Sequence, residues 1–246
     1  MKILLTGASG FIGRNFHKRF ADKYDFRTVD VVGENPEDLR DLRHDISIDY
    51  VVHLGAYAGV RRSHEIPKEF WEMNVDGSRN IFAQYKGTPI IYASSSSIYE
   101  WGLSPYATTK KVVEEIAPAS TSLGLRFHTV YGVDSRPDML YDKMLNRKVE
   151  YITNHTRDWT HVEDVCDAID LCIQRFPRLR FHKAIDVGNG EPVSVKEMAD
   201  KLWPGNNLPV REVTGEREHT CANAKELFNL GWNPKHHMLR DDHESV

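Results

Sequence analysis

Residues 94–110, SSSSIYEWGLSPYATTK, hold a set of groups suited to moving a proton. Four hydroxyls, Ser94 to Ser97, come first, and Tyr106 and Lys110 follow, four residues apart. Pro105 suits the first position of a helix. A helix opened there puts Tyr106 and Lys110 on one face, roughly 6 Å apart. An ammonium beside a phenol favours the phenolate. A serine close by can hydrogen-bond the oxygen on which the phenolate acts. Together these make a general base, its tuner and its helper. The same residues also suit a serine-rich turn before an ordinary helix, and the elements around them decide between the two.

The chain starts with a short apolar run, Lys2 to Thr6, without alternation, as in a strand buried on both faces. It runs into Gly7-Ala-Ser-Gly10-Phe11-Ile12-Gly13 and then a stretch of helical spacing. Gly7 permits the tight turn, Gly10 lets a phosphate approach the backbone at the helix N-terminus, and Gly13 lets helix and sheet pack closely. That context is the one a dinucleotide-binding turn needs. The next strand, Phe26 to Val29, ends at Asp30, 17 residues past Gly13. An acid there suits the adenosine ribose hydroxyls and repels a 2′-phosphate. Val31, Val32 and Gly33 follow, with no Arg. NAD is therefore favoured over NADP.

Further buried strands are expected at Tyr50 to Leu54, Pro89 to Ala93, Leu125 to Val130 and Ala184 to Val187. Helices are expected at Ile66 to Tyr85, Pro105 to Ser122, up to Phe176, at Val195 to Leu202 and at Ala222 to Leu230. Phe70, Met73, Ile81 and Phe82 are core candidates. Glu34 to Asp49 is polar and short. Strands alternating with helices give an α/β fold, a doubly wound parallel sheet of Rossmann type. Ligands sit beyond the carboxyl ends of such strands, where the glycine turn, Gly55-Ala56, the serines and Thr129 all fall.

Composition narrows the rest. The chain has 246 residues, is 40% hydrophobic and 28% charged, and carries a net charge of −4. That is an ordinary globule with no reason to bind nucleic acid or an anionic membrane. There is no apolar run of about 18 residues to span a bilayer, and MKILLTGASG is too short for a signal peptide. Three cysteines without a CxxC read as reduced thiols in a cytoplasmic protein. The twelve histidines show no ligand spacing, so no metal is expected.

TGASGFIG, HLGAYAGV, NVDGSRN, YASSSSIY, YATTK, RDWTHVEDV, VGNGEPVS and LGWNP occur in the order seen in extended short-chain dehydrogenases/reductases of the nucleotide-sugar epimerase and dehydratase family, which the chain resembles over nearly its whole length. The resemblance implies an NAD-binding Rossmann domain at 1–132, rejoined by 162–187, and a small substrate lobe at 133–161 and 188–246. It implies Ser95, Tyr106 and Lys110 as the catalytic trio. It places Gly7, Gly10, Phe11, Ile12, Asp30, Asp38, Leu39, Leu54, Gly55, Ala56, Asn74, Tyr106 and Lys110 around the cofactor, with Asp38-Leu39 against the adenine. Arg157 would pair with the phosphates of a nucleoside diphosphate sugar.

Similar 4,6-dehydratases carry an Asp-Glu pair after the trio's first member, and related decarboxylases a Glu; here Ser96 and Ser97 stand there. This leaves reversible oxidation at C4, and so epimerisation. AGVR at 58–61 and RFHTVYG…RPDM at 126–139 look most like UDP-glucuronate 4-epimerases. That implies that Ser95, Ser96, Ser97, Thr129 and Arg136 surround the sugar carboxylate. The implied reaction has Tyr106 take the C4 proton while hydride passes to NAD and later returns to the other face. Alternatives are a reductase or epimerase on another nucleotide sugar, or a non-catalytic dinucleotide-binding sensor. The family also suggests a helix-bundle homodimer. Short segments at 30–50, 99–106 and 141–157, Glu100 and Val133 in place of Gly and Pro, and Gly55 in place of Ala depart from the family. The short 99–106 loop predicts a more open site.

Overall fold

The computed structural model describes residues 1–33 and 36–241. Glu34 and Asn35 of the polar stretch, and 242–246 of the expected lobe, lie outside them.

Apolar runs form the buried strands β1 (Lys2–Thr6), β3 (Tyr50–His53), β4 (Ile90–Ser95), β5 (Ser122–Phe127) and β8 (Ala184–Val187), with β2 (Asp25–Val29) at the edge. They make one parallel six-stranded sheet in the order β2-β1-β3-β4-β5-β8. The described residues between β2 and β3 form neither strand nor helix, so β2 pairs with β1 alone.

Both faces of the sheet are covered. Helices α1 (Phe11–Phe20) and α7 (Val162–Leu179) lie on one, sharing a core with Phe16, Leu125 and Ile169. The other face packs on a helix that runs through α3 (Pro67–Trp71), a π-type turn Glu72–Asp76 and α4 (Gly77–Gln84), and on α5 (Pro105–Ile116). Phe70, Met73, Ile81 and Phe82 are buried as expected. The short α2 (Val60–Glu65) precedes them.

Three sequence-based boundaries shift. The helix expected to reach Ser122 stops at Ile116, because Ala117 before Pro118 is extended. The strand expected over Leu125 to Val130 breaks at His128; β6 (Thr129–Tyr131) leaves the main sheet to pair with β7 (Thr156–His161). β7, expected only as the lead-in to α7, pairs antiparallel with β9 (Pro192–Ser194). This small sheet, α6 (Leu140–Leu145) and α8 (Val195–Leu202) enclose a separate core around Tyr131, Trp159 and Met198. The last helix, α9 (Lys225–Asn229), is shorter than expected.

Two buried polar assemblies hold the ligand-facing ends in place. The Asp158 carboxylate on β7 accepts from the amides of Asn189, Gly190 and Ala222, each at 2.8 Å, tying the C-terminal segment to the small sheet. His53 at the end of β3 bonds Thr6 Oγ1 (2.7 Å) and Ser78 Oγ (2.9 Å), and Thr6 Oγ1 accepts the amide of Gly55 (3.0 Å). Burial pushes the His53 imidazole down to about 3, so it folds uncharged. The unfolded chain, with an ordinary imidazole near 6.5, binds the proton first. Stability contributed by neutral His53 is therefore complete above pH ~6.5 and is lost as pH falls towards 3, by about 1.4 kcal/mol per pH unit at most. Urea unfolding at pH 7 and pH 5 should show this slope, and His53→Gln should flatten it. An unchanged slope would assign the effect to other groups.

Candidate active site

Two clefts open at the carboxyl ends of the parallel strands. The first, about 190 Å³, lies over the β1–α1 turn and is lined by Gly7, Gly10, Asp30, Leu39, Leu54, Gly55 and Ala56, with Met73 and Tyr57. Gly10 begins α1 without a side-chain cap, leaving the first-turn amides to a ligand. Gly7 has φ +70°, and a Cβ on it would lie 2.6 Å from Gly55 N. Asp30 lines the cleft, one oxygen accepting from Ser9 N at 2.9 Å.

The remaining expected cofactor residues divide. The Phe11 side chain is core, and Ile12 packs against that core, so only their backbones belong to the turn. Asn74 clamps the cleft wall: its side chain accepts from Tyr57 N (2.7 Å) and donates to Tyr57 O (3.1 Å) and Thr109 Oγ1 (3.0 Å). Asp38 does not line the cleft. Both its oxygens are taken by the Arg40 guanidinium, which holds its carboxyl below the usual range. Leu39 does line it, and explains Gly55: a Cβ there would stand 2.9 Å from Leu39 Cδ1 and 3.0 Å from Thr6 Oγ1. Met73 and Tyr57 had no signal of their own in the sequence.

The second cleft, also about 190 Å³, is lined by Ser95, Ser96, Ser97, Thr129 and Arg157 together with Glu100, Leu103, Glu216 and Arg217. β4 delivers Ser95 to its floor. Ser104 caps α5 by accepting from Ala107 N at 3.2 Å, and Pro105 occupies its first turn. This sets Tyr106 and Lys110 on one face. Ser95 is near enough to the Tyr106 phenol to favour its ionised form. Lys110 Nζ stands 6.0 Å from the Tyr106 ring centroid and donates to Ala93 O at 2.9 Å. Edge-on ring contacts run from Tyr57, on the wall of the first cleft, through Phe70 to Tyr106.

The electrostatics correct one expectation. Burial raises the Tyr106 phenol above its ordinary value, outweighing the nearby Ser95 and the Arg136 charge, both of which lower it. Burial also pushes Lys110 down to about 8. Desolvation, rather than the neighbouring ammonium, dominates the pair.

Arg136 is not among the residues lining the cleft. Its fork is closed on Asp138, Nε to Oδ1 at 2.9 Å and NH2 to Oδ2 at 3.1 Å. Arg157 is in place, but NH1 donates to the carbonyls of Thr156 and Glu218, and NH2 bonds His155 Nδ1. Nor is the short 99–106 side bare. Ser96–Leu103 forms a 3₁₀ segment kinked at Glu100, and Glu100 meets Arg217 at 2.9 Å. Arg217 lies 121 residues from Ser96, to whose carbonyl it donates, and no local pattern could have found it.

The sequence pattern of the NAD dependent epimerase/dehydratase family matches residues 3–188. The chain belongs to that family. Among its relatives, this epimerase/dehydratase is 31% identical to UDP-glucuronate 4-epimerase 4 of Arabidopsis thaliana, over 94% of this chain and 71% of that one. It is 29% identical to protein CapI of Staphylococcus aureus, over 93% and 92%. The fold superimposes on MoeE5 in complex with UDP-glucose and NAD with a TM-score of 0.83 and 27% identity, over 96% and 94% of the two chains. It also superimposes on MoeE5 in complex with UDP-glucuronic acid and NAD, with a TM-score of 0.82. NAD is the cofactor of the epimerase/dehydratase, and the uncapped α1 turn, the Gly7–Gly55 close approach and Asp30 suit a dinucleotide.

Proposed function

We propose that this enzyme epimerises UDP-glucuronate at C4. The observation that carries the reading is Tyr106 and Lys110 on one face of α5, Lys110 Nζ 6.0 Å from the phenol ring, beside a cleft that Ser95 lines and whose floor at 96 and 97 offers only hydroxyls. When bound, NAD supplies reversible hydride transfer at C4. Tyr106 takes the C4 hydroxyl proton and later gives it back, and Ser95 donates to the same sugar oxygen. Lys110 keeps a cation near the ring below pH 8. Ser96, Ser97 and Thr129 donate to the acidic group of the sugar, and Arg157 faces the diphosphate, for which a guanidinium is suited. The carboxylates that do line this cleft, Glu100 and Glu216, are each paired with arginine, to Arg217 and Arg61, and do not take the place of a dehydratase acid. The small sheet and the core around Trp159 serve as the substrate lobe.

The test is incubation with a panel of UDP-sugars, the products being separated by chromatography and assigned by proton NMR. UDP-glucuronate should reach an equilibrium mixture with its C4 epimer without net formation of NADH. Conversion of neutral sugars in preference, stoichiometric NADH formation or no conversion at all would each sink the proposal.

A further inference from the structure

The geometry points to Arg217 as the cation that selects an acidic sugar; we draw this on the reading of the second cleft as the site of an acidic nucleotide sugar. Arg157 and Arg217 line that cleft, and Arg61 and Arg136 stand near it. Arg136 is closed on Asp138. Arg157 spends its donors on neighbouring carbonyls and His155. Arg61 is largely exposed and paired with Glu216 at 2.8 Å. Arg217 differs from these three. It donates through NH1 to Ser96 O at 3.2 Å, in the middle of the hydroxyl floor. Its side chain is 21% exposed and lies 5.3 Å over the Tyr99 ring.

Its position follows from the fold. Thr156 N donates to Glu218 O at 2.9 Å, and Thr220 Oγ1 accepts from Asp158 N at 3.2 Å. With Ala222 also held by Asp158, the segment 218–222 is stitched to β7. Gly215, Glu216 and Arg217 are thereby carried to the cleft, where all three line it.

Glu100 is what makes Arg217 selective. Its carboxylate, half exposed, binds Arg217 Nε at 2.9 Å. A sugar carboxylate presents the same planar pair of acceptors, so it can exchange with Glu100 while Arg217 keeps a counter-ion throughout. A neutral hydroxymethyl group offers no such exchange, and the Glu100–Arg217 pair then stays closed across the floor. Selection arises from the difference between the two sugars. The departure at position 100 and Arg217 thus form one device.

Binding of UDP-glucuronate and UDP-glucose is measured by calorimetry on the NAD-loaded protein carrying Tyr106→Phe, so that no turnover intervenes. The preference for the acidic sugar should fall about 10-fold or more in Arg217→Leu, as expected for loss of a charge-assisted pair, and be partly kept in Arg217→Lys. Glu100→Gln, which frees Arg217, should hold or increase the preference. If Arg217→Leu and Glu100→Gln weaken both sugars equally, the pair is merely a clasp and the inference falls, as it does if the parent protein shows no preference. A parent that binds the acidic sugar through Arg217 yet does not epimerise it without the Tyr106 substitution would overturn the proposed reaction and leave this inference standing.

Discussion

Tyr106→Phe is expected to lose roughly 10²–10⁴-fold in turnover, the range for removing a positioned acid–base group, while NAD remains bound. The substitution deletes one oxygen, the phenol oxygen whose ionised form Ser95 favours. The ring that packs edge-on against Phe70 at 6.2 Å remains. The cofactor cleft is built from the β1–α1 turn, Asp30, Leu39 and the residues after β3, and Tyr106 does not line it. Single-turnover assays with acid extraction of NAD separate the two effects. Retention of more than a tenth of the activity would remove Tyr106 from the reaction, and loss of NAD would mean that the variant acts through the fold.

The second large effect is expected at Gly13→Ala. A Cβ there would stand 2.0 Å from Gly7 O and 2.8 Å from Gly7 C, both backbone atoms of the β1–α1 turn that lines the first cleft. No rotamer relieves such a contact, so either α1 lifts from the sheet or the turn opens. A cost of about 3 kcal/mol in folding stability is expected, at the upper end for overpacking, with NAD affinity falling together with it. Gly102→Ala is the control: a Cβ there meets nothing within 4 Å, so its effect should stay within about 0.5 kcal/mol. Urea unfolding and NAD titration of both variants decide the matter. Equal stability of the two would show that the turn adapts freely.

Much of this architecture could be read before folding because its chemistry is local. The glycine turn, Asp30 at a strand end, and Tyr106 with Lys110 one helical turn apart each fall within a few residues of the element that places them. The helix end at Ile116 was missed, the expectation running on to Ser122, although Pro118 carries the reason within the sequence. Other features depend on partners far along the chain. The break at His128 follows from β6 choosing β7, about 30 residues on, and an apolar run cannot announce its pairing partner. Arg136 carried the right charge at a plausible place, yet Asp138 takes its fork. Arg217 reaches its site only through the stitching of 218–222 to β7. Burial, also invisible in a linear string, reverses the sign expected for the phenol.

The π-type turn at Glu72–Asp76 has a consequence for chain length. Among the described residues between β2 and β3 the chain runs on without regular structure and the sheet still forms, so spacing there is loosely specified. Within the turn it is not. Each residue advances a helix by about 100°, so deleting one would rotate α4 against α3 by that amount. Asn74 would swing away from Tyr57 and Thr109, and Ser78 away from His53. A frame-preserving loss of one codon here should strip the first cleft of the wall that Asn74 clamps.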